Sequence, residues 1–216
     1  MDIKILLLGA PGAGKGTQAK ELKSWLKVPI ISMGDMLRDI VKTDREMREK
    51  IIPYMDAGEL VPDLIVGEVL KVRLQRKDCE NGFILDGFPR SLVQAELLDR
   101  IGVKIDKAVE ISVSDEEIIK RLSGRIICED CGEIFHLENK KPVNEGVCDV
   151  CGGELKVRKD DEFETIVKRL KVFHEEMEPL RRYYFEKGKF FKIDGEMQQE
   201  EVTKDLLRVV EGEKND

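Results

Sequence analysis

Aromatic side chains are scarce and histidine is nearly absent: 6% of the 216 residues are aromatic, with one tryptophan and two histidines. Apolar residues still make up 41%, enough to exclude a disordered chain, and with so few aromatics the expected interior is aliphatic. An excess of positive charge is also lacking, since the net charge is −7. General nucleic-acid binding rests on Lys and Arg neutralising phosphates, so no nucleic-acid partner is expected, although local basic clusters can still hold small phosphorylated ligands. No apolar run approaches the roughly 18 residues that cross a bilayer. The start, Met1-Asp2-Ile3-Lys4, lacks a basic stretch followed by a cleavage site. No membrane partner is expected, and the cytoplasm is the expected location.

What is present alternates along the chain. Ile3 to Leu8 is a short, almost continuous apolar run of the kind that forms a buried parallel strand. Further strands are predicted at Pro29–Ser32, Gly82–Asp86, Lys107–Val113 and Phe190–Asp194. Helices are predicted at Lys15–Leu26, across Gly34–Asp56 with a break near Thr43-Asp44, and at Asp63–Arg76, Ser91–Arg100 and Gln199–Glu211. Another is predicted to open at Asp115, with Ser114 as N-cap. This alternation implies an α/β fold, a parallel five-stranded sheet flanked by helices. Residues 125–161 break the rhythm, carrying paired cysteines and short β-like pieces. That stretch is too small for a core of its own and reads as an insert held by metal.

Gly9-x-x-x-x-Gly14-Lys15 follows a predicted strand and precedes a predicted helix, the context in which this pattern is a P-loop. Glycines let successive backbone N–H groups converge on an anion, and the helix N-terminus faces the same anion. Lys15 adds a point charge over the outer phosphates. One departure stands out: Ser or Thr normally follows the lysine, whereas here Gly16 precedes Thr17. Direct ligation of Mg²⁺ by that hydroxyl is therefore left open.

The full string Gly9-Ala10-Pro11-Gly12-Ala13-Gly14-Lys15-Gly16-Thr17 resembles the loop of nucleoside monophosphate kinases. Ser32-Met33-Gly34-Asp35-Met36-Leu37-Arg38 is similar to the opening of the monophosphate-binding helix of adenylate kinases. Asp86-Gly87-Phe88-Pro89-Arg90, with Gln94 beyond, is similar to their strand-end motif. Arg121-x-x-x-Arg125, Arg158-Lys159-Asp160-Asp161 and Arg169 resemble the arginines around their lid. The chemistry agrees with this design. A monophosphate, with a second pKa of about 6, is already ionised near neutrality and needs no general base. The difficulty lies in joining two polyanions and stabilising the transferred group, which suits arginine.

The resemblance implies reversible transfer from Mg-ATP to AMP, giving two ADP. It places ATP on Gly12, Ala13, Gly14, Lys15, Gly16, Thr17, Arg121, Arg125, Ile134 and Phe135. AMP falls to Met33, Arg38, Glu59, Leu60, Val61, Gly87, Phe88, Pro89, Arg90, Gln94, Arg158 and Arg169. The catalytic set would be Lys15, Arg90, Arg125, Arg158, Arg169 and Asp86: Lys15 would reach the transferred group, Arg125, Arg158 and Arg169 would surround it, Arg38 and Arg90 would clamp the monophosphate's phosphate, and Asp86 would orient water ligands of Mg²⁺. Residues 1–31, 62–124 and 162–216 would form the P-loop core, 32–61 a monophosphate-binding insert and 125–161 a lid. Both inserts are expected to close over the core, which is expected to be monomeric. The family's usual threonine is methionine at position 33, so a kinase of UMP, CMP or GMP stays open as an alternative. So does a non-enzymatic nucleotide-dependent binding module built on a zinc ribbon.

Cys128-x2-Cys131 and Cys148-x2-Cys151 have the spacing of a zinc ribbon. Closed coordination by four thiolates makes the metal structural; iron and two disulfides are the alternatives. The position of this insert matches the zinc-bearing lid of some adenylate kinases. Cys79 reads as a structural thiol, His136 as no ligand, His174 as a solvated residue on a charged helix, and Trp25 as a packing residue.

Overall fold

The computed structural model describes residues 3–212; the first two residues of the start read for an export signal lie outside them. Five parallel strands form the main sheet: β1 (Ile3–Leu8), β2 (Ile30–Ser32), β3 (Gly82–Asp86), β4 (Lys107–Ser112) and β8 (Phe190–Asp194), in the order β2-β3-β1-β4-β8. Side chains alternate across β1. Ile5 and Leu7 enter a cluster with Leu22, Val109, Ile193 and Leu206, while Leu6 and Leu8 enter a second with Phe83, Leu98 and Leu180. Both faces are therefore covered, which explains why the strands read as continuous apolar runs. The chain passes from β1 to neighbours on both sides, so a crevice opens at the carboxyl ends of β1, β3 and β4.

The helices are α1 (Lys15–Leu26), α2 (Met33–Thr43), α3 (Arg45–Asp56), α4 (Asp63–Leu74), α5 (Leu92–Arg100), α6 (Asp115–Ser123), α7 (Phe163–Glu186) and α8 (Gln199–Glu211). The predicted break at Thr43-Asp44 is an N-cap: the Asp44 carboxylate accepts from Met47 N at 3.0 Å. Ser91 starts α5 in the same way, accepting from Gln94 N at 3.3 Å. Ser114 occupies the N-cap of α6 but makes no side-chain cap; its own N–H donates to Glu196 at 2.7 Å. The helix predicted to reach Arg76 stops at Leu74.

Between α6 and α7 lies a second, antiparallel sheet: β5 (Arg125–Cys128) at its centre, flanked by β6 (Ile134–His136) and β7 (Leu155–Lys156). Its interior is small, comprising Ile126, Cys128, Phe135, Cys148 and Leu155.

One expectation needs correction. Trp25 is 46% exposed; it falls on the outer face of α1, whose buried positions are Gln18, Ala19 and Leu22. The helix around His174 is the longest in the described residues, 24 residues with Pro179 inside it. His174 is exposed on it, as expected, and its Nε2 lies 2.9 Å from Asp115. Among the described residues no helix is long and apolar enough to cross a membrane.

Candidate active site

The glycine-rich loop joins β1 to α1 at the crevice. Gly9 lies at φ 140, and a Cβ there would come 2.6 Å from the Ile111 carbonyl. Gly14, at φ 97, is the left-handed residue on which α1 begins, with no side-chain cap. The first N–H groups of α1 are thus left for an anion. Lys15 Nζ donates to the carbonyls of Gly9 and Ala10 at 2.8 and 2.9 Å, which holds it over the loop with a further N–H to spare. Ala13 is buried and Thr17 exposed. Gly16 stands opposite Asp86, whose Oδ2 would be 3.7 Å from a Cβ.

Around Lys15 the chain gathers arginines from distant elements. Burial pushes the Lys15 ammonium down to about 8; Asp86 opposes this, while Arg90, Arg169 and Arg125 add to it. Arg90 is lowered to about 10 by burial and then by Arg169. Arg158 is lowered to about 10 by burial and then by Arg38 and Arg125. Arg169 is lowered mainly by burial, against the pull of Asp160. Six cations (Lys15, Arg38, Arg90, Arg125, Arg158 and Arg169) therefore share one field, with Asp35, Asp86, Asp160 and Asp161 as the carboxylates facing them.

Those carboxylates hold the fork-shaped side chains in place. Arg125 meets Asp161 in two-pronged fashion, at 2.7 and 2.5 Å, and the Asp161 side chain is wholly buried. Arg169 donates to Asp160 at 2.8 Å, and Arg38 to Asp35 at 2.5 Å. Burial acts to raise Asp35 and Asp160, but the neighbouring arginines outweigh it and both carboxyls are lowered. Asp86 is raised, chiefly by burial, against Lys15 and Arg90. These anchoring roles escaped the sequence reading, although Asp160 and Asp161 follow Arg158 closely enough to have suggested them. Arg121 stands apart, bonded to Glu117 at 2.8 Å and to the Gly195 carbonyl at 3.0 Å.

The predicted acceptor residues fall at the start of α2 (Met33), after α3 (Glu59 to Val61), between β3 and α5 (Gly87 to Arg90) and within α5 (Gln94). Gly87 is left-handed at φ 74, its carbonyl accepts from Arg90 Nε at 2.8 Å, and the Phe88-Pro89 bond is cis. Met33 is buried in an apolar cluster with Leu37, Val61, Val66 and Phe88. Gln94, 2% exposed, accepts from Arg90 N at 2.7 Å and donates to Asp63 at 2.8 Å. Glu59 pairs with Lys168 of α7 at 2.7 Å, and Leu60 is half-buried. Ile134 is half-buried, whereas the Phe135 ring is buried inside the small sheet, so only its backbone is left to face a nucleotide.

The Sγ atoms of Cys128, Cys131, Cys148 and Cys151 lie within 4.8 Å of one another. Cys128–Cys151 lie 3.4 Å apart and Cys131–Cys148 3.6 Å, and all four cysteines are unbridged, which excludes disulfides, whose sulfurs lie about 2.05 Å apart. A tetrahedral zinc with Zn–S of about 2.3 Å spaces its sulfurs at about 3.8 Å, so the residues fit that ion. His136 is not in the cluster; its Nδ1 accepts from Glu138 N and Asn139 N at 3.1 Å. Cys79 is buried beside Arg73, which donates to its sulfur at 2.9 Å.

The family model described as Adenylate kinase matches residues 7–189. An adenylate kinase of Caldicellulosiruptor bescii is 50% identical over 96% of this chain and 99% of its own length. One from Acetivibrio thermocellus is 45% identical over 98% and 100%, and one from Archaeoglobus fulgidus 46% over 97% and 98%. Identity of that extent, joined to a phosphate loop opening onto a set of buried arginines, makes the chain a member of the adenylate kinase family.

Proposed function

We propose that this adenylate kinase transfers the terminal phosphoryl group of ATP to AMP, giving two ADP, through the residues gathered at the crevice. The observation that carries the assignment is the shared field of six cations facing four carboxylates. Such an excess of buried positive charge asks for phosphate. The loop from Gly12 to Thr17 takes the ATP phosphates, with Lys15 reaching the group in transfer. Arg38 and Arg90 clamp the AMP phosphate, while Arg125, Arg158 and Arg169 stabilise the charge that spreads over the equatorial oxygens. No general base is involved, because the attacking phosphate oxygen is ionised. Gln94, Met33 and the backbone of residues 59–61 and 87–89 enclose the acceptor base. Arg121 and the backbone of residues 134–135 lie against ATP.

Magnesium arrives with ATP, and Asp86 fits the role of orienting its water ligands; bound there, the ion neutralises charge on the phosphates. The cysteine cluster supports a structural zinc. Residues 32–61 and 125–161 form the two moving units, and the enzyme works as a monomer.

The assignment is tested by supplying Mg-ATP with AMP, GMP, CMP and UMP in parallel. Strong preference for AMP is expected. Preference for another monophosphate would overturn the acceptor assignment, and retained ATP binding without any transfer would overturn the enzyme itself.

A further inference from the structure

Gln94 is gripped at both ends of its amide. Its Oε1 accepts from the Arg90 backbone N–H at 2.7 Å, and its Nε2 donates to Asp63 Oδ1 at 2.8 Å. Its own backbone N–H donates to Ser91 at 3.3 Å, and the whole side chain is buried. A primary amide turned by half a circle exchanges donor for acceptor at almost no steric cost. Here the turned form would set Oε1 against the Asp63 carboxylate and Nε2 against the Arg90 N–H, leaving both contacts repulsive. The Arg90 N–H is a backbone group and cannot adapt. Asp63 heads α4, next to the 59–61 stretch, and pairs with no lysine or arginine among the described residues, so its carboxylate is left to serve the amide.

We propose that Asp63 is a positioning residue that sets acceptor-base specificity by holding the Gln94 amide in one orientation. The proposal rests on the assignment of Gln94 to the acceptor base made above. Held this way, the amide keeps one unused N–H on nitrogen and one unused lone pair on oxygen. Adenine offers a matching pair, an amino donor at position 6 beside the N1 acceptor. A 6-oxo purine offers the reverse, an oxygen acceptor beside N1–H. The fixed amide accepts the first pattern and is mispaired with the second, in a pocket too buried for water to relieve the mismatch. Met33, buried and without a strong hydrogen-bonding group, packs in the apolar cluster that holds Val61 and Phe88. It cannot tell amino from oxo, so the discrimination falls to the amide.

The test compares AMP with IMP, which differ at this edge alone, using Mg-ATP and the full-length Asp63→Asn, Asp63→Ala and Gln94→Leu variants, with thermal unfolding recorded for each. Asn at 63 can present either an oxygen or an NH₂, so it removes one of the two contacts that fix the Gln94 amide and leaves only the Arg90 N–H to oppose a turn. The AMP/IMP ratio of kcat/KM is expected to fall about tenfold or more in Asp63→Asn. The change should appear in the acceptor KM, with the KM for ATP unmoved. Asp63→Ala, which removes the acceptor, is expected to shift the ratio in the same direction and serves if the Asn variant does not fold. A purely structural Asp63 would lower the unfolding temperature or slow both acceptors equally, and that result overturns the proposal. A ratio lost in Gln94→Leu but kept in both Asp63 variants also overturns it while leaving Gln94 as the base reader. A ratio unchanged in all three removes Gln94 from the base site and the proposal with it.

Discussion

Lys15 carries more consequence than any other single residue. Its ammonium is fixed by the Gly9 and Ala10 carbonyls and lowered by burial to about 8 from an ordinary 10.5. Below pH 8 it is protonated in both the folded and the unfolded chain, and keeping it charged inside costs about 3 kcal/mol. Between 8 and 10.5 the unfolded chain binds the extra proton, so this group's contribution to stability rises with pH across that window. In the free enzyme the charge is lost as pH passes about 8, whereas bound ATP, by supplying negative charge, restores it. The profile of kcat/KM for ATP should therefore bend down near pH 8, and that of kcat at a higher pH. Coincident alkaline limbs would count against this. Lys15→Met should lower kcat by about 10²–10³-fold, measured at saturating substrates, with folding retained.

At the same scale, the residues legible in the sequence are those that stand in contiguous strings, such as the loop or Asp86 to Arg90. Asp63, 31 residues from the amide it holds, belongs to no such string. Nothing in a single sequence points from one to the other. Asp161 hides for another reason: an aspartate beside arginines reads as surface charge until its side chain proves wholly buried against Arg125.

Among the elements, the small sheet of β5, β6 and β7 depends most on a foreign atom. Five buried residues, two of them cysteines, form its interior, too few to offset the entropy of ordering 37 residues of loops and short strands. The purified protein should carry a stoichiometric amount of zinc by elemental analysis, and a chelator or Cys148→Ser should lower the first unfolding transition. Iron in its place, or an unfolding curve indifferent to chelation, would refute the zinc reading. The insert was legible from cysteine spacing, because metal geometry imposes a local pattern. The span of α7 was not, since its buried side chains, among them Ile166, Leu170, Met177 and Tyr184, are thinly spread through charged residues and Pro179 sits among them. One contact tying α7 to the sheet is the pair of Arg181 with the buried Glu110 on β4, at 2.6 and 2.5 Å. Glu110→Gln removes the charge but keeps the shape. It should cost about 2 kcal/mol in denaturant unfolding, below the range for breaking a fully buried pair because Arg181 is 31% exposed.

For the whole molecule the balance of charge decides the shape. One largely buried pair, Arg169 with Asp160 at 2.8 Å, joins residues 125–161 to α7; other contacts of the two units lie at the surface, among them Lys20 with Glu133 at 2.7 Å, Lys42 with the Glu129 carbonyl at 3.5 Å and Lys168 with Glu59 at 2.7 Å. Exposed bridges of this kind stabilise by about 0–1 kcal/mol each. Against them stands the mutual repulsion of the cations, which adds to the larger effect of burial in shifting Lys15, Arg90 and Arg158 down. Without phosphates the closed arrangement is therefore weakly held, and the units at 32–61 and 125–161 should open. Two nucleotides bring enough negative charge to reverse the sign of that term, and closure then also shuts out the water that would otherwise take the phosphoryl group. Fluorophores placed at the exposed positions Thr43 and Glu145 should report a long, broad distance distribution in the free protein. With ATP and AMP together the distribution should become short and narrow, and ATP alone should give an intermediate one. Equal distances in all three states would mean that the crevice is rigid and that its charge is balanced by something other than the substrates.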